Sequence, residues 1–291
     1  MTAYDPKGDG EVASVPIEFS RLISESMHFH CDMAMNSPVP QGYSTHWRIM
    51  PTAVVAVLLE GATLVAIEDQ EPFLLNSGIG ICIPAGVNHC FSHPTPGVAA
   101  SVHVDFRIFG QFDILTLVEL PRVMPPAATK RLVAINRALA RNLNNPAAGL
   151  ADLCARQSLG FDLLNVLVTS GTVTPAAMER LRTAERLAPC LRRIDQALAS
   201  IDVAQMCQIL TISRSRLHAL FQEAFGCSPM DLVRGRRLRR ARELLAGTQH
   251  PIQEVAILSG FADPFHFSRV FRREHGRSPS EYRAIMAQRM L

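Results

Sequence analysis

Between residues 17 and 108 the apolar positions come in short runs separated by turn residues, at 53–59, 63–67, 73–75, 79–83 and 98–106. Short strands at that spacing predict a compact antiparallel sandwich or barrel. Residues 1–20, with Gly8, Gly10 and clustered acids, read as a loose arm ahead of it. Pro121, Pro125 and Pro126 end the strand pattern. The period then becomes helical. An amphipathic, basic helix is predicted over 129–143. In 150–169 the residues Leu150, Cys154, Gln157, Phe161, Leu164 and Val168 alternate steps of four and three, a 3.5-residue repeat. Such a seam pairs with its twin in a homodimer or packs on the chain's own strands, and the pattern leaves both open. A breaker at 171–175 precedes one long helix predicted from 175 to about 200.

The C-terminal stretch 251–283 reads as helix, tight turn and helix. Val255, Ala256 and Leu258 form the apolar face of the first helix. Gly260 supplies a turn residue free to take positive φ. Asp263 stands as N-cap with Pro264 at the first helical position. Phe267, Val270 and Phe271 recur at i, i+3 and i+4, so one face is buried and the other carries His266, Ser268, Arg269, Arg272 and Arg273. The pattern repeats at an offset of 50: Leu217, Phe221, Gly226, Ser228-Pro229 and Asp231 align with Phe267, Phe271, Gly276, Ser278-Pro279 and Glu281. A first helix-turn-helix is therefore predicted over about 202–224, with Ser213 capping its second helix. A helix over 230–246 joins the copies, and its Arg residues surround the axis, so some are plain solvated charge or partners for Asp231 and Glu243.

Gly-Phe-x-Asp, then Phe-Ser-Arg-x-Phe, then Gly-x-Ser-Pro-x-x-Tyr-Arg closely resembles the C-terminal signature of AraC/XylS-type transcriptional regulators. The resemblance implies double-stranded DNA and RNA polymerase as partners, transcription activation, and a small-molecule effector such as a sugar or an aromatic compound. Each second helix is expected in a major groove. Arg214, Ser215, Arg216, His218 and Gln222 are the candidate contacts of the first copy; His266, Ser268, Arg269, Arg272 and Arg273 are those of the second. Arg269 is the preferred guanine reader, and Arg272, Arg273 and Arg283 the phosphate holders. Thr211 stands where the first copy of that family usually has Gly. Phe265 stands where a small polar residue is usual; it is expected to fold back onto the protein in preference to meeting a thymine methyl.

A second, shorter resemblance lies upstream. Gly78, five residues, Pro84-Ala-Gly86, two residues and His89 is similar to the second motif of the cupin barrel. It implies a pocket in the barrel, for which His46, Trp47, His89, His93 and His103 are the candidate effector-binding residues. Trp47 stacks on a ligand or belongs to the core, with neither favoured. The His-x-His of cupin metal enzymes is missing at the comparable place, since His28 and His30 lie before the predicted strands. No metal or cofactor is therefore expected, although imidazoles need only meet in space to form a site.

Charge is divided along the chain. Residues 182–291 hold 18 Arg and 10 Asp/Glu, net +8, and the remainder holds 11 Lys/Arg and 16 Asp/Glu, net −5. One end is thus suited to a polyanion. Seven Cys show no CxxC pairing, there is no secretory-type N-terminus, and no run reaches 18 apolar residues. A soluble cytoplasmic protein is expected, with no membrane association. The expected fold is α+β with two domains: a cupin-like effector domain over 1–125, linker and dimerisation helices over 126–181, and an all-α DNA-binding domain over 182–291. The expected function is that of a non-enzymatic transcription regulator. A metal-dependent cupin enzyme tethered to DNA, and a DNA-binding protein whose barrel only dimerises, are the alternatives.

Overall fold

The computed structural model describes residues 23–108, 112–145 and 149–289; the loose arm expected over 1–20 lies outside them. The strands are β1 His28–Val39, β2 Arg48–Ile49, β3 Ala53–Glu60, β4 Ala62–Ile67, β5 Phe73–Asn76, β6 Ile79–Ile83, β7 Asn88–Ser92, β8 Gly97–Ile108, β9 Phe112–Asp113, β10 Val118–Glu119 and β11 Thr172–Val173. They form a five-stranded sheet in the order β1-β8-β3-β6, with β9 on β8, a four-stranded sheet in the order β2-β7-β4-β5, and a separate β10-β11 pair. All pairings are antiparallel. Among the described residues the two ladders stay separate, so they make a two-sheet sandwich and not a closed barrel. The five predicted runs all fall on strands.

Alternation along β3 shows how the sandwich is layered. Val54 and Leu58 join Val65, Leu75, Ile81, Ile83 and Phe91 between the sheets. Ala53, Val55 and Val57 face the other way, into a core shared with the helices. β1 crosses between the same two environments through an irregularity between Cys31 and Met33. Before it, Phe29 and Cys31 face the helices; after it, Ala34 does so, and Met33 and Met35 line the space between the sheets while staying 37% exposed. A bulge inserts one unpaired residue and inverts the alternation beyond it. The expectation that His28 and His30 precede the strands is corrected here, because both lie in β1.

Helices α1 Pro126–Leu143 and α2 Leu150–Ser170 pack on the outer face of the large sheet. Gly160 permits the approach of α2: a Cβ there would stand 2.2 Å from the Phe29 ring. Gly160→Ala is expected to destabilise the protein by about 1–3 kcal/mol through overpacking. Urea denaturation checks this, and an unchanged midpoint would show that Phe29 yields freely.

The remaining helices are α3 Pro175–Arg186, α4 Ala188–Gln196, α5 Val203–Leu210, α6 Arg214–Phe225, α7 Pro229–Gly247, α8 Ile252–Leu258, α9 Pro264–His275 and α10 Pro279–Arg289. The single helix expected from 175 to 200 is in fact α3 and α4, separated at Leu187. Pro189 accounts for the break, since it offers no N–H to the turn before it and suits the first turn of a new helix. One apolar cluster runs from Phe29 through α1–α6 into Val233, and a second joins the end of α7 to α8 and α9. The sheet side and the helical end meet where Phe112 packs edge-on to Phe225 at 5.9 Å, with Arg180 4.7 Å over the Phe112 ring. Among the described residues, no helix is long and apolar enough to cross a membrane.

Candidate functional site

The two copies of the C-terminal repeat share most of their local devices. The reciprocal cap on the first helix belongs to the first copy alone, since Pro251 offers α8 no side-chain cap. In the first, Asp202 accepts from the Gln205 N–H and Gln205 reaches back to the Asp202 N–H, a reciprocal cap on α5. The turn passes through Thr211 at φ 55°, ψ 45°, and Ser213 accepts from the Arg216 N–H to start α6. In the second, Gly260 takes the turn at φ 91°, and Asp263 accepts from the Phe265 N–H to start α9. Gly226 and Gly276 end α6 and α9 in the left-handed region, at φ 66° and 69°. Ser228 with Asp231, and Ser278 with Glu281, then cap the next helices reciprocally. The offset-50 repeat is thus a repeat of capping chemistry.

Thr211 forms the turn in the left-handed region, a conformation that Gly adopts at little steric cost. A β-branched residue in this conformation costs roughly 1–2 kcal/mol, and Gly loses roughly 0.5–1 kcal/mol of that gain to chain entropy. Thr211→Gly is expected to stabilise the protein by about 0.5–1 kcal/mol. A lower melting temperature would mean that the Thr side chain holds something else in place.

Leu217, Leu220 and Phe221 bury one face of α6, and Arg214, Ser215, Arg216, His218 and Gln222 are exposed on the other. Phe267, Val270 and Phe271 bury one face of α9, and His266, Arg269, Arg272 and Arg273 are exposed. Ser268 is half-buried and spends its hydroxyl proton on the Pro264 carbonyl, 3.0 Å away. Arg273 pairs with Glu274 at 3.2 Å, whereas Arg269 has no ion pair among the described residues. Phe265 is 80% exposed, contrary to the expectation that it folds back. Helical phase explains this: it stands about 200° around the axis from Phe267, which packs on Phe261. Arg283, expected to hold a phosphate, is half-buried and donates to the His250 carbonyl at 2.7 Å.

The arginines of α7 are mostly engaged. Arg236 is buried, donating to the Leu191 carbonyl and pairing with Asp195. Arg237 donates to the Leu198 carbonyl at 2.9 Å. Arg234 pairs with Asp231 at 2.6 Å, and Arg239 and Arg240 pair with Glu243. Arg236 and Arg237 thereby tie α7 to α4 and the turn after it.

Against known proteins, residues 206–285 match the family described as "Helix-turn-helix domain". Over 86 residues the chain is 40% identical to the arabinose operon regulatory protein of Escherichia coli K12, covering 30% of each. It is 38% identical over 82 residues to the probable transcriptional regulator LumQ of Photobacterium leiognathi, covering 28% of this chain and 33% of LumQ. This chain carries an AraC/XylS-type helix-turn-helix domain. The matched part spans about a third of the length of these relatives. A crystal structure of ToxT from Vibrio cholerae O395 is similar over 90% of this chain and 98% of its own, at 15% identity and a TM-score of 0.45.

Outside the AraC/XylS-type domain, a cavity of about 480 Å³ lies between the two sheets. His93 and His103 line it. His93 shares a proton with Thr63 across 2.8 Å. His89 is buried on β7 with Nδ1 2.9 Å from the Val87 carbonyl, and its Nε2 has no partner among the described residues. Burial lowers the pKa of all three, so they favour the neutral form; Arg48 adds to this at His89 and His103. The residues lining this cavity include none of His46, Trp47 and His89. His46 is exposed in the left-handed region at φ 55°, and Trp47, 57% exposed, borders a separate outer depression with Glu68 and Asp69. Arg48, which sequence reasoning missed as a cavity residue, lines the cavity from β2. Among the described residues no group of three or more His, Cys, Asp and Glu is gathered as a metal site.

Proposed function

We propose that this chain is a sequence-specific DNA-binding transcription regulator whose activity is set by a small molecule held between its two sheets. The observation that carries the reading is the AraC/XylS-type tandem unit, with an exposed polar face on each second helix and a net charge of +8 over residues 182–291. Each of α6 and α9 would enter a major-groove segment, the two about one turn apart at roughly 34 Å. Phe265 would offer an apolar contact to a thymine methyl. In this reading residues 1–125 form a cupin-like effector domain, 126–181 carry dimerisation helices and 182–291 bind DNA. Activation through RNA polymerase belongs to the same reading.

A homodimer is supported by the outer side of α2, where Leu150, Leu153 and Phe161 are exposed. Leu164, further along the 3.5-residue seam, is buried within the chain itself, so the first half of the helix would make the contact. Sedimentation showing a monomer at every concentration would remove that element.

Selection of genomic fragments with the full chain tests the main reading. The recovered fragments should share one sequence element with two contact blocks about a helical turn apart. Their affinity should fall steeply as salt rises, because displaced counterions drive part of the binding. Recovery of unrelated fragments, or none, would end it.

A further inference from the structure

The floor of the inter-sheet cavity is fixed by strand register. Met33, His103 and Val54 stand side by side on β1, β8 and β3; Met35, Ser101 and Ala56 form the next row, and Ser37, Ala99 and Leu58 the last. Leu75 and Phe91 face this floor from the smaller sheet. The walls are therefore largely apolar, as in sites for compact organic ligands.

Against this apolar surface stands one permanent charge. Arg48 reaches the cavity from β2, where it pairs in register with His89. Among the described residues its buried Nε has no hydrogen-bond partner, and none of those lining the cavity is a carboxylate. Asp32, the acid that acts on nearby His103, is itself paired with His30 at 3.0 Å on the exposed side. A guanidinium part-way out of water without a counter-charge is costly, and its planar fork of donors matches a carboxylate. His93 and His103 add neutral imidazoles to the lining, so the described residues offer the cavity a single cation.

We propose that the cavity binds an apolar monocarboxylate, with Arg48 holding the carboxylate and the Met33–Val54 and Met35–Ala56 rows holding the body. One positive charge matches one negative charge, whereas a phosphate dianion would leave charge unmatched in a poor solvent for it. A neutral sugar would leave Arg48 without a counter-charge and lay its hydroxyls on methionine, valine and leucine. This assignment rests on the effector reading above and specifies its ligand class.

Calorimetry of the full chain with matched probes tests it: 4-tert-butylbenzoate, 4-phenylbutanoate and octanoate, each beside its primary amide, with neutral monosaccharides as a separate set. At least one carboxylate should bind tenfold or more tightly than its amide. Arg48→Gln should erase that advantage and leave amide binding within about twofold; Arg48→Lys should keep part of it. Ala56→Phe, which fills the floor, should weaken carboxylate and amide alike. Melting curves without ligand show whether each variant is folded. Equal affinity for acid and amide, or a preference that survives Arg48→Gln, overturns the assignment. Binding of a monosaccharide but of no carboxylate overturns it and leaves effector control standing. Binding of neither set counts against both.

Discussion

Arg269→Ala is expected to weaken operator binding roughly 10- to 100-fold, about 1–3 kcal/mol, and to relax preference at one base pair. Arg269 is exposed on α9 opposite Phe267 and Phe271, and no carboxylate among the described residues engages it. A free guanidinium there can present two donors to guanine O6 and N7 together. Arg272, one residue short of a full turn further on, is expected to behave differently. Arg272→Ala should weaken specific and non-specific duplexes alike and lower the salt slope by about one, as for a phosphate contact. Measuring both variants on the operator and its single-base changes, at three salt concentrations, separates the roles. Melting temperatures show that each variant is folded. Should Arg269→Ala leave the base-preference profile unchanged, the reading role passes to His266, because Ser268 already donates its proton to Pro264.

Legibility in the sequence followed the range of the interactions. The tandem unit was readable because its signals are local: Ser213, Asp263, Gly226 and Gly276 cap or end helices within a few residues of themselves. Helical phase placed the exposed faces of α6 and α9, and the same phase, applied to Phe265, would have put it outside. Pro189 was a visible mark of the break between α3 and α4 that the longer apolar period concealed. The strands that read poorly were β1 and β7. In β1 the irregularity after Cys31 inverts the alternation, so no single period runs through it. In β7 the buried His89 interrupts an apolar run. The cavity was the least legible part, since it depends on pairing between distant strands: Met33 and Val54 meet only through His103 of β8. Histidines drew attention as candidate ligands; a lone Arg48 beside Trp47 carried no periodic signal.

Asp113→Asn is expected to stabilise the protein above pH 6 and to leave it unchanged near pH 4. Burial pushes the Asp113 carboxyl up to about 6; Asp105 raises it further, and the hydrogen bond from the Leu115 N–H and the charge of Arg107 oppose the rise. A folded pKa above the unfolded value of about 3.9 means that folding favours the protonated acid. That contribution is complete below about pH 4 and is lost as pH rises through 6. The loss amounts to about 1–3 kcal/mol, the upper end following from two pKa units at 1.36 kcal/mol each. Asn is neutral throughout and keeps an oxygen for the Leu115 N–H, now 2.9 Å from Asp113 Oδ1. Other carboxylates titrate over the same range, so the informative quantity is the difference between variant and wild type across pH 4–8. That difference should open between pH 4 and 6 and then level off. A difference that stays flat, or one that opens with the opposite sign, would show that Asp113 is charged in the folded protein at little cost. The position gives the result a wider meaning: adjacent Phe112 packs on Phe225 and beneath Arg180, so the carboxyl sits at the junction of the sheets with the first reading unit.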